Sequence, residues 1–385
     1  ANGNINRLKP ETIQASGSGK VNLSGGGEIV TDNFQLESGQ WQSDLAVRGL
    51  NLAAVNRDLP KSIQTGLLFG NFQATGNLQR LEPKQIQVSG DGNISNLLGG
   101  KIQLNNITLN NGKWQSNVIA DRLNISKLAK FAPKNSIDPN LLAGQLSANW
   151  QIDGDIQNIS PANLRVLGDT KLTNFQVGSV KFEPNLSGKI QANPGQGVNI
   201  NFDGKTDRLA LSLDRNLQLE SFDINRQELL ATGTVINDTS LTGKSKMLDI
   251  DVQRFPVSLL QQWIPKNVGI QPYRLDGTAT GNLAVNLTNF QVTGNQIDIA
   301  NPTFGAFQGD RLFANFRYAN GNLNLNNTEI QRGKNTYLIN ASVNPTAKKP
   351  TFQAKVRVPK GSLEDVRNIL QIFSVDDLLK PLNQR

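Results

Sequence analysis

The chain has 385 residues, 37% of them apolar and 18% charged, with 35 glycines and neither Cys nor His. Those two absences exclude thiol and imidazole catalysis, Cys/His zinc sites and the Ser-His-Asp triad, and leave a foldable composition with an amide-rich surface. The balance of 39 Lys+Arg against 31 Asp+Glu, +8, favours anionic surfaces.

The opening "ANGNINRLKP" has neither the charged n-region nor the apolar h-region of a signal peptide, and no window approaches the ~18 consecutive apolar residues of a membrane helix. The sequence therefore predicts a soluble piece. Lacking an initiator Met, it reads as a fragment of a longer chain, any membrane anchor lying elsewhere.

Residues 39–60 read "GQWQSDLAVRGLNLAAVNRDLP", and 73 positions later residues 112–133 read "GKWQSNVIADRLNISKLAKFAP". In each, strict apolar/polar alternation predicts a strand, and a short apolar cluster ending at Pro60 or Pro133 predicts a helix that proline stops. A third helix is predicted from Phe255 in "FPVSLLQQWIP", ending at Pro265, and an amphipathic fourth over 362–373, where Ser362 and Asp365 form a capping-box pattern. After each proline comes a Gly-punctuated strand opening: "LLFGNFQATGNL", "LLAGQLSANWQIDGDI" and "YRLDGTATGNL". These intervals divide the chain into repeats over 1–60, 61–133, 134–265 and 266–385, regular in kind and irregular in length.

Between the seams, alternation continues in "VNINF" (Val198, Ile200, Phe202), in "LALSL" (Leu209, Leu211, Leu213), at Leu217 and Leu219, at Tyr337 to Val343 and from Phe352 to Val358. The intervening Asn, Gln, Ser, Lys, Arg and Asp mark a wet face, which predicts antiparallel sheet. Turn signals recur at "NNGKW", "NPGQG", "ANGNL" and "NPTAKKP". The apolar phase slips between Ile102/Leu104 and Ile107/Leu109, so a bulge or tight turn is expected at Asn105–Asn106. The expected fold is all-β, a long curled antiparallel sheet with a few short helices at the repeat seams. Burying each inward side chain gains about 1.5–3 kcal/mol only if that face is covered. Either the sheet curls on itself or it stays open as a trough that something apolar occupies.

The units "GKWQSNVIADRLNISKLAKF", "LLAGQLSANWQIDGDIQNI" and "LDGTATGNLAVNLTNFQVTG" resemble repeats of the AsmA-like superfamily, most closely its translocation-and-assembly-module branch. The similarity runs over nearly the whole chain and lies in repeat order: G-x-W, then L-N-[LI], a short helix and a Gly-rich strand. The resemblance implies a periplasmic β-groove, anchored in the inner membrane and reaching toward an outer-membrane Omp85-type barrel partner. It also implies phospholipid transfer between the membranes and support of outer-membrane protein assembly or secretion. In that reading Val198, Ile200, Phe202, Leu209, Leu211, Leu213, Leu323, Leu325, Phe352, Val356 and Val358 line the groove and contact phospholipid acyl chains. No catalytic motif or cofactor is implied.

Other constellations are weaker. "SGSGKV" at 16–21 and "LTGKSK" at 241–246 evoke a phosphate loop, but Gln14 and Asp238 stand where its first glycine belongs. Asp153/Asp155 and Asp249/Asp251 put carboxylates two apart on a strand face without the rest of a calcium loop. The basic residues are scattered, densest at Lys348 and Lys349, and no run interleaves them with aromatics as a nucleic-acid groove would. Trp41, Trp114, Trp150 and Trp263 are expected as core or sheet-rim anchors. A secreted β-helical adhesin passenger is the alternative reading, which rungs far shorter than 73 residues would have favoured; a glycosidase with an Asp/Glu pair is a third.

Overall fold

Alternation of β-branched, aromatic and aliphatic residues with amides dictates strand almost everywhere, and the chain is all-β, with 75% strand and 8% helix. The structure is a computed structural model that describes residues 13–55, 61–80, 82–131, 139–158, 160–178, 180–226, 229–238, 245–258, 274–289, 291–304, 307–344 and 351–360. It forms two compact units, which divide within a strand at 208–213.

The first unit is an antiparallel meander: β1 (Ala15–Asn22), β2 (Glu28–Glu37), β3 (Gln40–Asn51), β4 (Leu67–Asn77), β5 (Gln87–Leu97), β6 (Gly100–Asn110), β7 (Lys113–Asn124), β8 (Leu142–Asp155), β9 (Arg165–Val177), β10 (Val180–Lys181), β11 (Asn185–Asn193) and β12 (Gly197–Asp203). Each pairs with its sequence neighbour, except that β9 takes both the two-residue β10 and β11. After β13 (Arg208–Leu213), the second unit repeats the plan: β14 (Leu219–Arg226), β15 (Leu229–Asp238), β16 (Ser245–Pro256), β17 (Leu275–Asn286), β18 (Gln291–Phe304), β19 (Phe307–Gln308), β20 (Arg311–Ala319), β21 (Asn322–Arg332), β22 (Asn335–Asn344) and β23 (Thr351–Lys360). Here too neighbours pair antiparallel, β18 taking both β19 and β20. Antiparallel pairing throughout is not the pairing of a parallel β-helix.

Two-residue turns close several hairpins with positive φ at both central positions: Ser38–Gly39, Leu98–Gly99, Asn111–Gly112 and Asn320–Gly321. That is the turn whose twist matches a right-handed hairpin. The phase slip at Asn105–Asn106 is a bulge: register shifts between Asn105 and Thr108, with Asn106 at φ 53°. The bulged amide would be left without a ladder partner, and Asp91 Oδ1 accepts it at 2.7 Å. The same device recurs. Ser147 Oγ accepts from Arg122 N, Thr280 Oγ1 from Arg254 N, Asn315 Oδ1 from Gln296 N and Asn340 Oδ1 from Asn327 N, each donor a positive-φ residue inside a strand. The wealth of Asn, Ser and Thr on the wet face thus has a structural use.

The seam helices are shorter than expected. Leu50 and Asn51 stay in the ladder opposite Leu68 and Leu67, so α1 covers only Leu52–Val55. An unanticipated α2 (Lys61–Gln64) follows Pro60. Leu123 and Asn124 likewise remain in β7, and α3 is Ile125–Leu128, capped by Asn124 Oδ1 on Lys127 N and continued by a 3-10 turn, Ala129–Phe131. The third expected helix does not begin at Phe255, because Phe255 and Pro256 of β16 still pair with Ala279 and Thr278; Val257 and Ser258 take 3-10 geometry, and residues 259–265 and the helix over 362–373 lie outside the described residues. Leu217 is not in a strand: it sits at φ 59° in a turn that Asp214 ties together by accepting from Asn216 N and Gln218 N.

Candidate functional site

Successive strands in register align like side chains into rows that run across each sheet. In the first unit one row passes Leu104, Val118, Trp150, Gly168, Ile190 and Ile200; a second passes Ile152, Val166, Ala192 and Val198; a third passes Ala120, Ala148, Thr170, Gly188 and Phe202. Val198, Ile200 and Phe202 are therefore neighbours on one apolar face, each ending a row on β12. The second unit does the same. One row runs Val235, Leu248, Val285, Val292, Tyr318, Leu323, Val343 and Phe352, and the next runs Ile250, Leu283, Gly294, Phe316, Leu325, Ala341 and Ala354. Leu323, Leu325 and Phe352 share that face, while Val356 pairs with Ile339 and Val358 packs on the cluster of Ile330 and Tyr337. Leu209, Leu211 and Leu213, on β13, are half-buried.

Large rings on these faces lie over glycines of the next strand. A Cβ built on Gly76 would meet the Trp41 indole at 2.8 Å, one on Gly154 would meet Trp114 Nε1 at 3.0 Å, and one on Gly233 would meet Phe222 Cζ at 2.7 Å. The Gly-punctuated strands are the floor on which aromatics rest, so the rings tile the sheet instead of standing off it. Trp150 adds a polar anchor, donating its Nε1–H to Thr170 Oγ1 at 2.9 Å. Trp263 lies outside the described residues.

Burial along the strands is uneven. At the seam end of the first unit, where α3 packs against β8, Leu123, Leu146, Leu172 and Leu186 form a closed row, Leu123 2% and Leu186 0% exposed. Two or three rows further along the same strands, Leu104, Trp150, Ile190, Ile200, Ile152 and Val166 are only half-buried, though Val118 and Ala192 in the same rows are buried. In the second unit Ile330 and Tyr337 are buried with Phe304, Leu312, Ile339 and Val358 packed around them, while Val285, Val292, Phe316, Leu323 and Leu325 are half-buried beside a buried Leu248. Each face is thus a strip, sealed at one margin and only partly covered along its middle.

The opposite face of each sheet is polar. Two shallow concavities lie there: one of about 790 Å³ lined by Lys101, Gln103, Ile119, Asn149, Asp169 and Lys171 among others, and one of about 410 Å³ beside Asn324, Asn340 and Lys355. Ile119 and Leu167 break the amide rows of this face, 37% and 48% exposed.

Two of the four carboxylates singled out in the sequence, Asp155 and Asp251, have ordinary partners. Lys113 Nζ donates to Asp155 Oδ2 at 2.8 Å, which with the Gln157 amide holds the Asp155 carboxyl below its usual range. Asp251 accepts from Asn282 Nδ2 at 3.0 Å. "SGSGKV" lies on β1 as extended strand. Sequence reasoning missed the glycine–ring stacking, because only the register shows which glycine faces which ring. Comparison with protein-family models, curated proteins and solved structures finds no match.

Proposed function

We propose that the chain is a lipid-conducting segment in which phospholipid acyl chains lie along the half-open apolar strips and move across the strands from row to row. The observation that carries this reading is the contrast within single strands: the same face is sealed at Leu172 and Leu186 yet half-open at Ile190 and Ile200. Monomeric proteins rarely leave contiguous apolar strips uncovered, and methylenes supply the missing cover at about 0.8 kcal/mol per group buried. Because successive strands repeat the same side-chain types, a chain shifted by one strand meets a similar surface, and movement along the strip needs no chemical step.

The repeat order of the AsmA-like superfamily supports the same reading and extends it. In that extension the chain is part of an inner-membrane-anchored, TamB-like periplasmic protein that carries phospholipid toward the outer membrane. Supporting outer-membrane protein assembly or secretion through an Omp85-type barrel belongs to the same proposal, as does the absence of catalysis.

The test is organic-solvent extraction of the purified protein with mass spectrometry of bound lipid, together with lipid transfer between labelled vesicles. Ile200→Asp and Val356→Asp are expected to lower bound lipid and transfer by about tenfold or more while leaving the circular dichroism of the fold intact. Absence of co-purifying lipid, with transfer indifferent to both substitutions, would refute the proposal.

A further inference from the structure

The charges of the first unit are sorted between its two margins. On the margin where hairpins turn, from β2 to β9, Arg80, Lys84, Lys113 and Arg165 face Glu37, Glu82, Asp153 and Asp155, four of each sign. On the seam margin, from the row holding Lys101, Asp121, Lys171 and Asp203 outward, eight Lys and Arg side chains face three carboxylates, an excess of five among the described residues. All eight are exposed.

The pairing sharpens the excess. Lys101 and Arg122 share Asp121, at 3.8 and 3.4 Å. Lys61, Lys127, Lys130, Lys171 and Lys205 have no ion-pair partner among the described residues. The strands from β3 to β12 that make this margin spread the cations over on the order of 40 Å at ~4.8 Å per strand, close enough for neighbours to act within one ~10 Å screening length.

We infer that this seam margin docks on the anionic headgroups of a lipid bilayer. Seven of the eight cations are Lys, mobile point charges suited to a fluid array of phosphates, where a fixed bidentate acceptor would call for Arg. Phe69, 36% exposed, is the one exposed aromatic among the described residues, and a lone ring gives successive bases no platform on which to stack. The inference goes beyond the acyl-chain strip and does not depend on it.

The experiment is flotation of the protein with phosphatidylcholine vesicles, with and without one quarter phosphatidylglycerol, at low and high salt. Binding is expected to require the anionic lipid and to fall with salt. Lys127→Glu/Lys130→Glu/Lys205→Glu should weaken it by about tenfold or more, whereas Arg80→Glu/Lys84→Glu/Arg165→Glu on the balanced margin should leave it within about twofold. Flotation on anionic vesicles by protein from which no lipid co-purifies separates this result from failure of the lipid-carrying reading. Equal binding to pure phosphatidylcholine, retention by the seam triple variant, or equal competition by duplex DNA would overturn the inference.

Discussion

Gly233 and Phe222 allow the glycine–ring arrangement to be tested quantitatively. A Cβ on Gly233 meets Phe222 Cε1 first, with Cζ at 2.7 Å and Cδ1 at 3.0 Å, so Gly233→Ala leaves the ring more than ~0.8 Å short of a ~3.5 Å carbon–carbon contact. The ring must lift off the sheet, loosening its packing on Ala231 and Val252. Overpacking of this kind costs about 1–3 kcal/mol, offset by about 0.5–1 kcal/mol for removing a flexible glycine from a strand, a net loss of about 1–2 kcal/mol. Phe222→Ala, from a half-buried site, should cost about 2 kcal/mol. Once the ring is gone, the methyl added at position 233 has nothing to collide with, so Gly233→Ala/Phe222→Ala should be no less stable than Phe222→Ala alone. The assay is urea denaturation of all four proteins followed by circular dichroism. If the two losses simply add, or if Gly233→Ala is neutral in the parent, rings do not rest on glycines in the way described.

Other outcomes follow from the same geometry. Leu186→Ala, at a fully buried position, should cost about 2–5 kcal/mol in denaturation, whereas Ile190→Ala on the open part of the face should cost about 1 kcal/mol. Asp91→Ala strips the bulged Asn106 amide of its acceptor and should cost about 0.5–1.5 kcal/mol, with faster hydrogen exchange at that amide. Asp298 receives Arg311 Nε at 2.9 Å and Nη2 at 2.5 Å, which holds its carboxyl below the ordinary aspartate value of 3.8. A lowered folded-state pKa contributes stability above the unfolded value that is lost as pH falls through the folded one. Asp298→Asn should therefore be less stable than the parent at neutral pH, by no more than about 1 kcal/mol for a partly exposed pair, with the two converging as pH falls below about 3.8, read by thermal melts across that range.

Much of the fold was legible because the sheets are wet on one face. Alternation in "VNINF" identified a strand and chose its apolar side, and the phase slip around Asn105–Asn106 located a bulge. Helix lengths were not legible. "LNLAAV" and "LNISKL" carry helical spacing from their first residue, yet cross-strand pairing of Leu50 with Leu68 and Leu123 with Leu146 keeps those leucines in strands. Of the candidate site, the apolar identity of Ile200 and Leu325 was visible, but their being half-open while Leu172 and Tyr337 are sealed depends on where the margins pack. The sorting of charge between margins was hidden too, because residues as distant in sequence as Lys101 and Lys205 become neighbours of one edge only after the meander is laid out.

Within each unit nearly every strand hydrogen-bonds to the strands just before and after it in sequence. A hairpin completed early needs nothing from residues not yet synthesised, so the sheet can zip up from its first strands while the remainder is still being made. The same neighbour-only wiring makes length an adjustable quantity: inserting or deleting a whole hairpin extends or shortens the strip by two rungs without re-routing any other strand.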